Sequence, residues 1–124
     1  MAKITTEMKK LIEENALAFA TVNESGKPHC VAVGFVKVVS KNQLLITANY
    51  LRETVKNIQR NNNVALAVWN RNWEKNCIGY ELRGTAEYFD SGKWYQKVKE
   101  MPENEGEPCK GAILVTITKI KKLA

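Results

Sequence analysis

The segment 47–54 (TANYLRET) carries the residues best suited to chemistry in this chain of 124 residues. An apolar run ends here, small polar residues follow, and a helical pattern begins near Arg52. The first turn of a helix has free N–H groups and the positive end of the helix dipole, which together favour anions such as phosphate. The guanidinium of Arg52 and the hydroxyl of Thr54 could add further hydrogen bonds. The segment indicates a phosphate site, although an ordinary capped helix with an exposed arginine would contain the same residues.

Other reactive side chains form no recognised catalytic pattern. The motifs GxGxxG, GxxxxGK[ST], HExxH and GxSxG do not occur in the sequence. The single histidine, His29, could donate a proton, but acid–base catalysis needs partners that the sequence does not identify. Trp69, Trp73 and Trp94 could stack on a ring, although packing in a core or an interface is the commoner role of a tryptophan. No catalytic residue is assigned, and the chemistry would have to come from a weaker constellation of residues or from a cofactor.

The cysteine content argues against a disulfide framework and against a metal site. Cys30, Cys77 and Cys109 are odd in number, and none belongs to a CxxC pair. Since there is also only one histidine, we expect no bound metal. Cys30 and Cys77 lie in strand-like stretches, where we expect small, buried, hydrophobic side chains.

The formal net charge of +6 favours an anionic partner, such as a phosphorylated cofactor, nucleic acid or a membrane surface. The lysines are spread along the chain, so a solvated basic surface explains most of them. No apolar run is long enough to cross a membrane, and the N-terminus lacks the apolar core and the cleavage site of a signal peptide. A cytoplasmic location is therefore expected.

The pattern of apolar residues and turns predicts one domain, residues 1–124, composed mainly of antiparallel strands. The first three strands have short connections and are expected to form a meander. Gly84 lies inside a strand and indicates a bulge or a close backbone approach. Residues 101–110 are expected to form a loop. The predicted strands are 16–22, 28–39, 43–47, 64–69, 79–89 and 112–120, and the predicted helices are about 5–15, 51–61 and a third one after Ser91.

Several stretches follow one another in an order that is typical of a known family. They are FATV, PHCVAV, LLITANYLRETVKNI, NNNVALAVW, GYELRGTAEYF and AILVTIT. In this order the sequence resembles the pyridoxamine 5'-phosphate oxidase-like FMN-binding split barrels, and within them the short FMN-binding proteins. The resemblance covers nearly the whole chain. It implies a six-stranded antiparallel split β-barrel of Greek-key type with short flanking helices.

The resemblance also implies a homodimer with FMN at its interface. Glu53 stands where many members of the family have a basic residue, so Arg52 would have to supply the positive charge. Glu53 is expected to point away, because a carboxylate beside a phosphate is unfavourable. By resemblance, the phosphate group would be held by Thr47, Ala48, Asn49, Arg52 and Thr54, with Asn57 nearby, and the backbone of Val31, Ala32, Val33 and Gly34 would run along the flavin ring.

The expected function is that of a flavin-dependent oxidoreductase or an electron-transfer protein. In such proteins the flavin carries the redox chemistry, and the protein binds and orients it. Pyridoxal-forming members have further basic residues after the last strand, so that particular activity is not expected here. The alternatives are a flavin-binding protein without turnover, a split barrel that uses deazaflavin or haem, and, least favoured, a nucleic-acid-binding barrel. The electron donor, the acceptor and the substrate are not identified.

Overall fold

The computed structural model describes residues 2–108 and 110–123. Cys109, one of the three thiols considered above, lies outside the described residues, as do the two terminal residues of the predicted domain. No helix in the described ranges is long and apolar enough to span a lipid bilayer. The helices are α1 (Thr6–Glu14), α2 (Arg52–Arg60), α3 (Gly92–Lys99) and a short 3-10 helix (Pro102–Asn104). The strands are β1 (Leu17–Val22), β2 (Pro28–Val33), β3 (Val36–Ser40), β4 (Gln43–Thr47), β5 (Asn63–Trp69), β6 (Gly79–Phe89) and β7 (Ala112–Lys122).

All seven strands belong to one antiparallel sheet with the order β2-β1-β5-β6-β7-β4-β3. The long strands β6 and β7 pair at its centre, while β2 and β3 are its two edges. The sheet curls into half a barrel, and the helices flank it. The mainly β, antiparallel split-barrel prediction is confirmed.

The predicted number of six strands is wrong, because the expected strand 28–39 is two strands. β2 ends at Val33, and β3 begins at Val36. The buried positions change parity between them, since Val33 is buried, Phe35 is half exposed and Val36 is buried again. A shift of one residue turns each following side chain to the other face of the sheet, so one continuous strand cannot satisfy both patterns. The expected meander is also wrong, because β2 pairs with β1 at one edge and β3 pairs with β4 at the other.

The core lies on the concave side of the sheet. Alternate residues of β1, among them Leu17 and Phe19, are almost fully buried, and the residues between them are half exposed. Helix α1 contributes Ile12 to this core, and the helix begins with the Thr5 hydroxyl accepting a hydrogen bond from the Met8 N–H at 3.2 Å. A smaller apolar cluster around Val98 packs beneath α3. In β1 and β5 the period-2 pattern therefore separates an inner face from an outer face, whereas consecutive residues of β4 and β7 are buried.

Gly84 allows β6 and β7 to approach closely. The register between the two strands shifts at Arg83 and Gly84, which is the signature of a bulge. A Cβ atom on Gly84 would lie 1.9 Å from the carbonyl oxygen of Thr116, a distance that no side chain tolerates. The close backbone approach that the sequence indicated is therefore confirmed.

Candidate functional site

The connection between β4 and α2 gives α2 a first turn without a side-chain cap. Leu51 is the N-cap residue, and leucine has no acceptor to offer to the N–H groups that follow it. Arg52, the first residue of α2, is exposed to solvent. The turn therefore combines uncapped N–H groups with an accessible guanidinium, which is the arrangement that an anion requires.

The other polar residues of α2 that were predicted to bind phosphate face inward. Thr54 is fully buried, and its hydroxyl has no hydrogen-bond partner. Asn57 is 2% exposed and donates from Nδ2 to the hydroxyl of Thr21 in β1 at 3.0 Å. Asn57 therefore ties α2 to the sheet, while Thr54 places an unsatisfied polar atom in the first turn.

The residues that precede α2 are held by the chain itself. Thr47 is half-buried, and its N–H donates to the carbonyl of Phe35 at 3.4 Å. Ala48 is buried, and its N–H donates to the carbonyl of Gly111 at 3.0 Å. Asn49 is 6% exposed, and its side chain points into the protein. The residues predicted to hold the phosphate are thus neighbours in space. Of these residues, Arg52 alone has an exposed side chain.

Asn49 is bonded to the segment that the sequence predicted to be a loop, residues 101–110. Its Nδ2 donates to Oδ1 of Asn104 at 2.5 Å, and its Oδ1 accepts from the N–H of Lys110 at 3.5 Å. The hydroxyl of Tyr50 donates to the carboxylate of Glu107. That hydrogen bond, with some desolvation and the negative charge of Glu107, raises the pKa of Tyr50. The segment therefore packs against the turn before α2.

Strand β2, which was predicted to run along a flavin ring, is an edge strand. Val31 pairs with Phe19 of β1, and Ala32 pairs with Ala18. Val33 is buried, while Ala32 and Gly34 are exposed. Because β2 has a strand neighbour on only one side in the described sheet, one row of its backbone polar groups stays available for other partners.

His29 and Glu53 connect β2 to the first turn of α2. Nδ1 of His29 lies 3.0 Å from Oε2 of Glu53. The two side chains are 24% and 62% exposed, respectively. This contact directs the Glu53 carboxylate to His29 and brings the predicted ring strand next to the predicted phosphate helix. The contact between His29 and Glu53 was not predicted, because the two residues are 24 positions apart and no local sequence pattern relates them.

Small side chains form the outer face of β2, β1 and β5, which we call the outer alanine face. Ala18 lies opposite both Ala32 and Ala67, and Ala20 lies opposite both Cys30 and Ala65. These side chains are half exposed or exposed. The outer alanine face consists of Ala18, Ala20, Cys30, Ala32, Ala65 and Ala67.

The two described thiols are not buried, contrary to expectation. Cys30 is exposed on the outer alanine face, and Cys77 is exposed outside any strand. Within residues 2–108 and 110–123, no group of three or more histidine, cysteine or acidic side chains is placed to hold a metal ion.

This chain is similar in sequence to proteins from an archaeon and from a bacterium. An uncharacterised protein of Methanocaldococcus jannaschii is 35% identical over 130 aligned residues, which cover 99% of this chain and 83% of that protein. A pyridoxine/pyridoxamine 5'-phosphate oxidase of Leptospira biflexa is 34% identical over 74 residues, which cover 60% of this chain and 33% of the relative.

Solved structures share the fold over nearly the whole chain. HupZ of Group A Streptococcus superimposes with a TM-score of 0.87 and 26% identity, over 97% of this chain and 94% of HupZ. An FMN-binding protein of Syntrophomonas wolfei has a TM-score of 0.77 at 12% identity, over 94% of this chain and 83% of that one. At lower similarity, an F420 reductase (TM-score 0.69, 23% identity) and the haem storage protein HutZ of Vibrio cholerae (0.70, 15%) have the same fold.

The family model for pyridoxamine 5'-phosphate oxidase matches residues 4–124. The match includes the uncapped turn before α2, the edge strand β2 and all seven strands of the sheet. The chain belongs to the pyridoxamine 5'-phosphate oxidase family.

Proposed function

We propose that this protein binds FMN and acts as a flavin-dependent oxidoreductase or electron-transfer protein. The observation that carries the proposal is the uncapped first turn of α2, with Arg52 exposed, in contact with the edge strand β2 through Glu53 and His29. The membership of the family supports a flavin as the ligand. When bound, FMN would supply the hydride or single-electron chemistry, and the chain would bind and orient it.

The first turn of α2 suits the phosphate end of FMN. Arg52 supplies a positive charge that remains accessible, and the uncapped N–H groups supply donors. The neighbouring Glu53 would repel a phosphate, but its carboxylate is engaged by His29. The accessible guanidinium of Arg52 and the uncapped N–H groups therefore favour an anion, with the Glu53 carboxylate turned to His29.

Thr54 has the only buried side-chain polar atom in the described chain that lacks a hydrogen-bond partner. Its buried hydroxyl has no partner in the described chain, and leaving such a group unsatisfied costs about 1–3 kcal/mol. Proteins keep such an atom mainly where it has a functional role or meets a bound group. In the proposal a phosphate oxygen would accept a hydrogen bond from this hydroxyl, which requires the first turn to shift, because the hydroxyl is inaccessible in the structure.

The edge strand β2 is the proposed support for the flavin ring. Residues 31–34 would contact the ring through their backbone, because Ala32 and Gly34 have no side chain large enough to hold the ring at a distance. The exposed N–H and carbonyl groups of an edge strand can bond to the polar edge of a flavin.

A homodimer is part of the proposal, with the outer alanine face as the contact surface. Small side chains allow a second copy to approach the strands closely, and an exposed apolar surface of this kind is typical of an interaction site. The dimer would enclose the ring of FMN between two chains. We place the protein in the cytoplasm, where the exposed free thiols of Cys30 and Cys77 would stay reduced.

Other cofactors and other roles are outcomes of the same experiment. Deazaflavin and haem deserve a test because proteins named for F420 and for haem share the fold. His29 uses Nδ1 for Glu53, which leaves Nε2 for a haem iron. A flavin-binding protein without turnover would bind FMN but fail to accept electrons.

The test is an absorbance spectrum of the purified protein, recorded before and after FMN is added and the excess is removed. We expect flavin bands to remain with the protein. Anaerobic addition of reduced nicotinamide nucleotides then tests for an enzyme: rapid bleaching indicates an oxidoreductase, whereas stable bands indicate an electron-transfer protein with another donor or a flavin-binding protein without turnover. A protein that retains no flavin, but binds deazaflavin or shows a haem band, would contradict the FMN proposal.

A further inference from the structure

Three consecutive residues of the turn before α2, residues 48–50, are bonded to the segment 101–108, to Lys110 or to Gly111. The N–H of Ala48 donates to the carbonyl of Gly111 at 3.0 Å. The hydroxyl of Tyr50 donates to the carboxylate of Glu107. The ring of Tyr50 also has the ammonium group of Lys110 within 6.0 Å of its centre. The conformation of the turn therefore depends on a part of the chain more than 50 residues away.

The central contact is a pair of buried amides. Asn49 and Asn104 are 6% and 4% exposed, and Nδ2 of Asn49 donates to Oδ1 of Asn104 at 2.5 Å. Nδ2 of Asn104 in turn donates to the carbonyl of Val98 in the last turn of α3 at 3.2 Å. Both ends of the Asn104 amide are engaged, so the orientation of this side chain is fixed.

We propose that Asn104 is a positioning residue for the anion site at the start of α2. It holds the side chain of Asn49, and so it holds the turn 48–51 that leads into the uncapped first turn of α2. Asn104 is buried, and both its oxygen and its nitrogen are bonded to the protein, so it acts through Asn49 and does not contact the ligand. This inference rests on the proposed phosphate site, and it assigns to the segment 101–108 a role in phosphate binding.

Phosphate binding and the order of the segment 101–108 should be coupled in the wild-type protein as well. If the ordered segment favours phosphate binding, phosphate binding must favour the ordered segment by the same factor. The segment contains its own reporters, since the N–H groups of Asn104, Glu105 and Glu107 bond to carbonyls within it, at 3.0, 3.2 and 3.1 Å. Their rates of hydrogen exchange report how often the segment opens.

The first experiment compares Asn104→Leu with the wild-type protein for two ligands, FMN and riboflavin, which lacks the phosphate. Leucine has a similar volume but offers neither hydrogen bond, so Asn49 loses its partner. We expect FMN to bind about tenfold more weakly, as for the loss of one favourable hydrogen bond, and riboflavin to bind unchanged. The matched control is Asn62→Leu, the same change at an exposed asparagine, for which FMN binding stays the same.

The results separate this inference from the proposed function. A wild-type protein that binds neither ligand would overturn both. A wild-type protein that prefers FMN over riboflavin, with Asn104→Leu showing the same preference, would overturn the positioning role alone. An equal loss of FMN and riboflavin would also overturn it, because the damage would then be general and not linked to phosphate.

The second experiment uses the wild-type protein and does not depend on the variant folding. Hydrogen exchange within residues 101–108 is measured with FMN, riboflavin and inorganic phosphate at saturating concentrations. We expect slower exchange at Asn104, Glu105 and Glu107 with FMN and phosphate, and no change with riboflavin. Equal exchange rates in all conditions would contradict the coupling between the segment and the anion site.

Discussion

The inner and outer faces of the same three strands, β1, β2 and β5, contrast sharply. On β1 the inner positions include Leu17 and Phe19, which are at most 1% exposed. The alternating outer positions include Ala18 and Ala20. The inner face is filled with large side chains in a closed core. The outer face has small side chains that leave the backbone accessible.

This contrast indicates that the inner face stabilises the fold and that the outer face is suited to binding. Large buried side chains stabilise the sheet because their apolar surface leaves water. Small exposed side chains contribute little to the hydrophobic stabilisation of the sheet, but they let another surface approach the strands. Helix α2 repeats the contrast, since Asn57 and Ile58 are buried and Arg52 is exposed. Substitutions on the two sides should therefore affect different measurements.

The largest effect is expected for Phe19→Ala on the inner face. Phe19 is fully buried in the main core, so its loss removes apolar contacts and leaves a cavity. We expect the free energy of unfolding to fall by about 3–5 kcal/mol, measured by urea denaturation. A fall below about 1 kcal/mol would mean that the inner face does not carry the stability assigned to it.

An intermediate effect is expected for Arg52→Ala, on the exposed side of α2. We expect FMN to bind more weakly by about 1.5–3 kcal/mol, the range for a hydrogen bond to a charged group, while the free energy of unfolding stays nearly constant. Titration of the flavin fluorescence measures the affinity. The control is Arg60→Ala, which removes the same charge at the other end of α2, where Arg60 pairs with the exposed Glu24. Equal affinity in wild type and Arg52→Ala would place the phosphate elsewhere.

The smallest effect on folding is expected for Ala20→Glu, at the centre of the outer alanine face. The free energy of unfolding of the single chain should change by no more than about 1 kcal/mol, because Ala20 is only partly buried and lies outside the core. The assembly, in contrast, should change from dimer to monomer, because the dimer would bury two carboxylates without partners. Light scattering during size-exclusion chromatography measures the mass.

The control for Ala20→Glu is Lys37→Ala, which changes the net charge by the same amount at an exposed site in β3, at the edge of the sheet far from β1. It should leave the mass unchanged. If Ala20→Glu also keeps the mass of a dimer, the outer alanine face is not the contact surface. If both proteins and the wild type are monomers, the proposed homodimer itself is wrong.

The sequence predicted the elements well wherever the signal is local. The helix that begins near Arg52 and the close approach at Gly84 were both readable from residue type and spacing. The split between β2 and β3 was readable too, because the apolar alternation changes parity at Phe35, but the interpretation as one long strand passed over that change.

The sequence by itself determined which segments form strands and helices, since period and turn chemistry are properties of neighbouring residues. Only the tertiary structure decided which polar side chains are free to bind. It paired Asn49 with Asn104 and Glu53 with His29, and it left the hydroxyl of Thr54 buried without a partner. Those outcomes depend on how distant strands and loops pack together, and no local periodicity encodes contacts between residues that are 24 or 55 positions apart.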